Sequence, residues 1–163
     1  MKKIMFTLLI IGMIPLLTGC TASVVGKFDD YNEIFTGIID LDMQGHGIIK
    51  VKSTPSNITC KGKGWITFVP MSSYLIGTCK GQRGEAELTC DDGRIVSGDW
   101  ICEACTRIKG EGKTNLNENI TFFITSNNKK SDRKLQEYKT DTAEKPYLKG
   151  VNPSSGSIME DLF

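Results

Sequence analysis

The chain has 163 residues, 20 basic and 19 acidic side chains and a formal charge of +1, with 39% hydrophobic residues and 17 glycines. Near-neutrality argues against a nucleic-acid binder, which carries a basic excess gathered on one face, and the length suits one domain with an appendage. The 6 cysteines point to an oxidising compartment where thiols pair.

Lys2 and Lys3 precede an apolar stretch from Ile4 to Leu17 that is interrupted by Thr7, Gly12 and Pro15. These are the proportions of a signal peptide. A spanning helix needs about 20 apolar residues, and this run is shorter and broken by proline. Thr18 and Gly19 then leave room for a peptidase, and Cys20 offers a thiol at the cut. Leu17, Thr18, Gly19 and Cys20 together resemble the lipobox of bacterial lipoproteins. That resemblance implies a diacylglyceryl thioether on Cys20, cleavage before it and acylation of the new amino terminus. Each buried methylene contributes ~0.8 kcal/mol and stable anchoring takes two chains, so such a tether holds almost permanently. By analogy with Gram-negative lipoproteins, Thr21 in place of Asp after the lipidated cysteine implies the outer membrane. The expected divisions are a signal peptide over 1–19, a lipidated linker over 20–25, a folded domain over 26–125 and a tail over 126–163.

From Gly26 to Thr125 no stretch keeps a helical period over three turns, while Gly, Thr, Ile, Val and aromatic residues abound. The segment reads as all-β. Expected strands are "EIFTGIIDL", "HGIIKVKS", "NITCKGKGWITFV", "GEAELTC", "RIVSGDWIC", "RIKGEGKT" and "NITFFIT". In several of them apolar residues alternate with polar ones, as when one sheet face is buried and the other wet. Asp92-Gly93 between two such runs is a strong hairpin signal, and "DMQGHG" marks a second turn. Consecutive hairpins predict an antiparallel meander. The runs from Phe35 to Ile49 and from Asp92 to Gly112 each place a glycine-containing strand, a turn and then Gly-x-Gly. This pattern is similar to the hairpin unit of MORN repeats, where a glycine leaves space for a ring on the neighbouring strand, though the spacing is irregular and no fixed period recurs. "GEAELTCDDGRIVSGDW" followed by "GEG" also resembles a group of small bacterial lipoproteins and exported domains built around Cys-Asp-Asp-Gly-Arg. The likeness sharpens fold and location but implies no substrate.

Past Cys20 lie Cys60, Cys79, Cys90, Cys102 and Cys105. Five cannot all pair within one chain, and spacing leaves the connectivity open. The lipoprotein-group resemblance favours Cys60 with Cys90. Cys79 then joins Cys105 or Cys102, and the remaining thiol is free or bonds another chain. "CEAC" at Cys102–Cys105 raises redox chemistry, since a vicinal pair at a helix N-terminus has a lowered thiol pKa. Its hairpin context lacks that frame. A zinc site would need a second close pair, which is missing, so neither metal nor cofactor is expected.

His46, the one histidine, sits in a predicted turn, and neither Gly-x-Ser-x-Gly nor Ser-x-x-Lys supplies it with a nucleophile. The acid pairs Asp29–Asp30, Asp40–Asp42 and Asp91–Asp92 read as turn and wet-face residues. Trp65, Phe68, Tyr74 and Trp100 are the large rings to inspect for a sugar or peptide surface, although rings in strands are mostly core. The tail contains Pro146, Pro153 and "SSGS" and reads as disordered. Within it "DRKLQEYK" is too short for an isolated helix, and "SIMEDLF" would form an apolar face on a partner. The expectation is a lipid-anchored, disulfide-braced envelope protein with a binding or structural role and an envelope protein or glycan partner. The alternative is an envelope enzyme acting on glycan or thiols.

Overall fold

A computed structural model describes residues 20–42, 46–104 and 107–146. Eight antiparallel strands succeed one another around a closed barrel. They are β1 (Cys20–Phe28), β2 (Ile34–Leu41), β3 (Gly47–Thr54), β4 (Thr59–Phe68), β5 (Arg83–Cys90), β6 (Ile95–Ala104), β7 (Arg107–Thr114) and β8 (Asn119–Thr125). A short helix α1 (Met71–Ile76) interrupts the β4–β5 connection, and a longer helix α2 (Asn128–Thr142) follows β8. The expected all-β hairpin architecture is present, with β1 pairing to β8 so that the meander closes on itself. Closure leaves neither outer strand with a row of unpaired backbone groups.

Alternation sets the inside and outside of the wall. Along β3, Gly47, Ile49, Val51 and Ser53 are buried, while Ile48, Lys50, Lys52 and Thr54 are exposed. The tight coiling of a small barrel also needs places where backbones nearly touch. At Gly37, Gly62, Gly98 and Gly112 a carbonyl of the neighbouring strand occupies the space a Cβ would take. Elsewhere a ring fills that space. Phe35 lies over Gly26, Trp100 over Gly84 and Phe122 over Gly110, and each ring stands directly across the strand pair from its glycine.

The chain departs from the sequence reading at both ends of the barrel. Residues 20–25, expected as a linker, belong to β1, with Cys20 opposite Leu41. Val24 and Val25 are both buried, because one faces the barrel interior and the other lies under α2. The first part of the expected disordered tail is α2. It covers the seam where β1 meets β8 and β2, packing Tyr138 and Leu135 on Val25 and Ile34. Tertiary packing supplies what its weak local propensity lacks. Asn127 caps it, its side chain accepting from the Lys130 amide at 3.1 Å, and beyond it the Asn32 amide donates to the Pro146 carbonyl at 2.8 Å. The expected signal peptide over 1–19 and the segment "SIMEDLF" lie outside the described residues.

An electrostatic clasp holds this helix. The Lys27 ammonium pairs with Asp141, stands 3.6 Å from Asp29 and lies 5.6 Å from the centre of the Tyr138 ring. Burial pulls the Lys27 pKa down, but Asp141 and Asp29 outweigh it and hold it above its ordinary 10.5. Burial first, then the charges of Glu137, Asp29 and Asp141, pushes the Tyr138 phenol well above its ordinary 10.0. The folded chain therefore favours neutral Tyr138 and charged Lys27. Both contributions are fully present below the pKa values of the unfolded chain and fade as pH rises past about 10. Helix content should fall above that pH together with late ionisation of one tyrosine, followed by circular dichroism and tyrosinate absorbance. In Tyr138→Phe the fall should move to higher pH. Simultaneous ionisation of all tyrosines at their ordinary pKa, with α2 still in place, would refute this.

Candidate functional site

The inward side chains do not fill the barrel. A cavity of about 280 Å³ runs along the axis. Its walls are apolar, formed by residues such as Val24, Ile39, Ile49, Val51, Leu88 and Ile124. Gly47, Gly64, Ala86 and Gly98 all line it, and at Gly64 even an added Cβ would meet no atom nearer than 3.5 Å. Among the described residues, polar groups meet it only toward the ends, Ser53 and Arg94 at one and Asp42 and Gln82 at the other. The second end is the one where Cys20 starts β1 and where the β2–β3, β4–β5 and β6–β7 connections lie. A narrow apolar chamber with polar groups at its limits suits a small apolar or amphipathic molecule, since ligand pockets start at about 300 Å³ and are mostly apolar with a few placed polar groups.

"CDDGR" closes the end far from Cys20, and each of its residues has a physical task. Cys90 is bonded to Cys60, its direct partner across β4 and β5. The Asp91 carboxylate accepts the Thr59 amide at 3.1 Å. Gly93 turns the chain with a φ of 86°, a conformation L side chains rarely adopt. Arg94 then folds back inside, 5% exposed. Its guanidinium donates to Glu118 through Nε at 2.8 Å and Nη2 at 3.3 Å, and to Asp92 through Nη1. Glu118, itself 9% exposed, also accepts from Thr114 Oγ1 at 2.9 Å. Burial lowers the Arg94 pKa, yet Glu118 and Asp92 more than compensate and leave it raised, so the guanidinium stays charged and is held by both carboxylates. The Asp-Gly turn was legible in sequence; the buried role of Arg94 was not.

The opposite end is crossed by the β4–β5 connection, which carries α1. A second bridge ties this connection to β6. Of the two partners expected for Cys79, Cys105 and Cys102, it bonds Cys102, while Cys105 lies outside the described residues. Cys102 is 1% exposed and faces the cavity from β6, which brings it within reach of Cys79 as the connection folds over the barrel end. The Gly81 amide donates to the Cys102 carbonyl at 2.7 Å, and the Cys102 amide to the Gln82 carbonyl at 2.9 Å. Each bridge contributes ~2–4 kcal/mol.

The other candidates are dispersed. His46 is exposed and contacts Asp42, its Nδ1 3.5 Å from the carboxylate. Asp40 accepts from Thr21 Oγ1 at 2.9 Å on the outer wall, and Asp29 accepts from Thr121 Oγ1 at 3.0 Å. Trp100 faces inward and Trp65 lies on the outer wall, so the two rings do not form one surface; Phe68 is 53% exposed. On the outer wall Glu85, Asp99 and Glu111 stand in direct register across β5, β6 and β7. Among the described residues no group of three or more His, Cys, Asp or Glu is placed to hold a metal, and no helix is long and apolar enough to cross a membrane.

Fold and interior together define an eight-stranded up-and-down β-barrel with a partly open apolar core. The chain is similar to the solved structure of a redesigned β-barrel, mFAP1, bound to DFHBI, with a TM-score of 0.51 and 14% identity over 67% of this chain and 94% of that one. It also matches a de novo designed fluorescence-activating β-barrel, with a TM-score of 0.49 and 11% identity over 68% of this chain and 94% of that one. The first likeness shows the shared barrel fold. No family model matches the sequence, and no curated protein matches it significantly.

Proposed function

We propose that the mature chain is a non-enzymatic, lipid-anchored barrel of the bacterial envelope, tethered through Cys20, that holds a small apolar or amphipathic ligand inside. The observation that carries this reading is the axial cavity of about 280 Å³ with apolar walls. A barrel of this size is ordinarily filled by side chains or holds one small ligand, and here the inward residues leave space along the axis. The lipobox resemblance supplies the tether, and two disulfides suit an oxidising compartment. The designed barrel bound to DFHBI shows that the same fold accepts a small molecule in another protein. The thiol-enzyme alternative draws on Cys102 and Cys105, and the first of these is bonded to Cys79.

Titration of the purified protein with a fluorescent fatty acid tests the reading. Binding should saturate near one probe per barrel. A Cβ added at Gly64 meets Ile49 at an ordinary 3.5 Å, so Gly64→Leu keeps the fold and pushes its outer carbons into the cavity. Affinity should then fall about tenfold or more, the equivalent of about 1.4 kcal/mol. Unsaturable signals, identical in both proteins, would overturn the proposal. Mass spectrometry of the intact protein reports the acyl groups on Cys20 separately.

A further inference from the structure

Among its described side chains, helix α1 buries a polar residue and exposes its aliphatic ones. A surface helix normally buries its apolar stripe and exposes its polar face. Among the described side chains of Met71–Ile76 the polar Ser73 is the inward one, 3% exposed, with its hydroxyl donating to the Lys80 carbonyl. Met71 and Leu75, four residues apart and on the side away from Ser73, are 80% and 76% exposed, and the adjacent Ile76 is 75% exposed. Phe68 and Val69, leading into the helix, are 53% and 43% exposed. A six-residue helix is marginal in water, and this one has no side-chain cap at Pro70. Five large apolar side chains thus crown one end of the barrel.

The place of this crown identifies what covers it. Strands alternate in direction, so the β4–β5 connection emerges at the same barrel end as Cys20, the first residue of β1. Exposed Lys80 and Arg83 flank the helix, and Glu103 in the nearby β6 end is engaged by Arg107 at 2.8 Å and Lys109 at 3.0 Å. Apolar tips with exposed Lys80 and Arg83 following them in the chain, and Asp42 at the same end held by His46, match the interface of a bilayer with anionic head groups. We propose that Phe68, Val69, Met71, Leu75 and Ile76 insert into the bilayer to which Cys20 is tethered, so that the barrel stands with its Asp42–Gln82 end against the lipid. This deepens the anchoring proposed above and rests on it. It also gives an apolar ligand a path between bilayer and cavity that avoids water.

The test places a tryptophan at each end of the acylated mature protein. Leu75→Trp reports the crown, and Leu116→Trp reports the opposite end, where Leu116 is 62% exposed in the β7–β8 turn. Both are reconstituted with vesicles of phosphatidylethanolamine and phosphatidylglycerol carrying brominated acyl chains, and the signal of Trp65 and Trp100 in the unaltered protein is subtracted. Quenching and a blue shift should appear for Leu75→Trp and be at least about fivefold weaker for Leu116→Trp. Equal quenching at both ends, or none at position 75, while the protein floats with the vesicles and shows its acyl mass, overturns the insertion and leaves the anchor standing. Where the acyl mass is missing, the anchor fails. Quenching at position 75 under excess vesicles then still supports the crown, and its loss overturns it.

Discussion

Replacing Gly84 by alanine should cost the barrel about 3 kcal/mol or more, whereas the same change at Gly64 should be neutral or stabilise it by up to about 1 kcal/mol. Chemically these are one substitution in neighbouring strands. At Gly84 the new Cβ falls inside the ring of Trp100 and against the carbonyl oxygen of Trp65. The ring is held in turn by an indole N–H donated to the Glu85 carbonyl at 3.2 Å, and a backbone oxygen has no rotamer to escape through. At Gly64 the nearest atom is Ile49 Cδ1 at 3.5 Å, an ordinary contact. Urea denaturation of both variants checks the contrast. A loss under about 1 kcal/mol at Gly84 would mean that the strands coil less tightly than described.

Arg94→Leu should lower stability by about 3–5 kcal/mol, because removing one member of a buried pair leaves the other charged and unpaired. Glu118 would keep Thr114 as a donor and lose both contacts from the guanidinium. Arg94→Lys should recover only part of the loss, since an ammonium cannot span Glu118 and Asp92 as a planar fork does. The informative variant is Arg94→Leu with Glu118→Leu. If the single change costs its full amount through the stranded carboxylate, the double variant should be the more stable of the two, as a double-mutant cycle in urea would show. A double variant less stable than Arg94→Leu would place the contribution in the packing of these side chains instead.

How much of this was readable before folding differs from element to element. Strands β7 and β8 match "RIKGEGKT" and "NITFFIT" residue for residue; along β7 one wet and one buried face impose alternation, whereas β8, partly under α2, ends in the buried run Phe123, Ile124 and Thr125 and was legible from its β-branched and aromatic composition. Strand β1 escaped because both of its faces are covered, which turns alternation into the adjacent pair Val24-Val25, and because it abuts the expected anchor. Helix α2 left a faint trace: Ser131, Leu135, Tyr138 and Thr142 recur at spacings of four, three and four and form its inner stripe. Only two of them are apolar or aromatic, so composition hid the period. The cavity could not be read at all, since inward glycine and alanine look the same whether a ring or empty space faces them. The five late cysteines fixed the presence of bridges, but only the path of the β4–β5 connection over the barrel end decides that Cys79 meets Cys102.

The bonding of the first strand to the last sets the order of events in the cell. Ser23 lies opposite Thr125, so a chain made amino end first exposes an unsatisfied edge until β8 has been made. Such distant pairings are slow to form, and the waiting edge is a template for wrong neighbours. Helix α2, which follows β8 in the chain, lies across that same join and acts as a latch on the closed barrel. Truncated products that stop before β8 would remain open-edged, and are the species that quality-control proteases should meet.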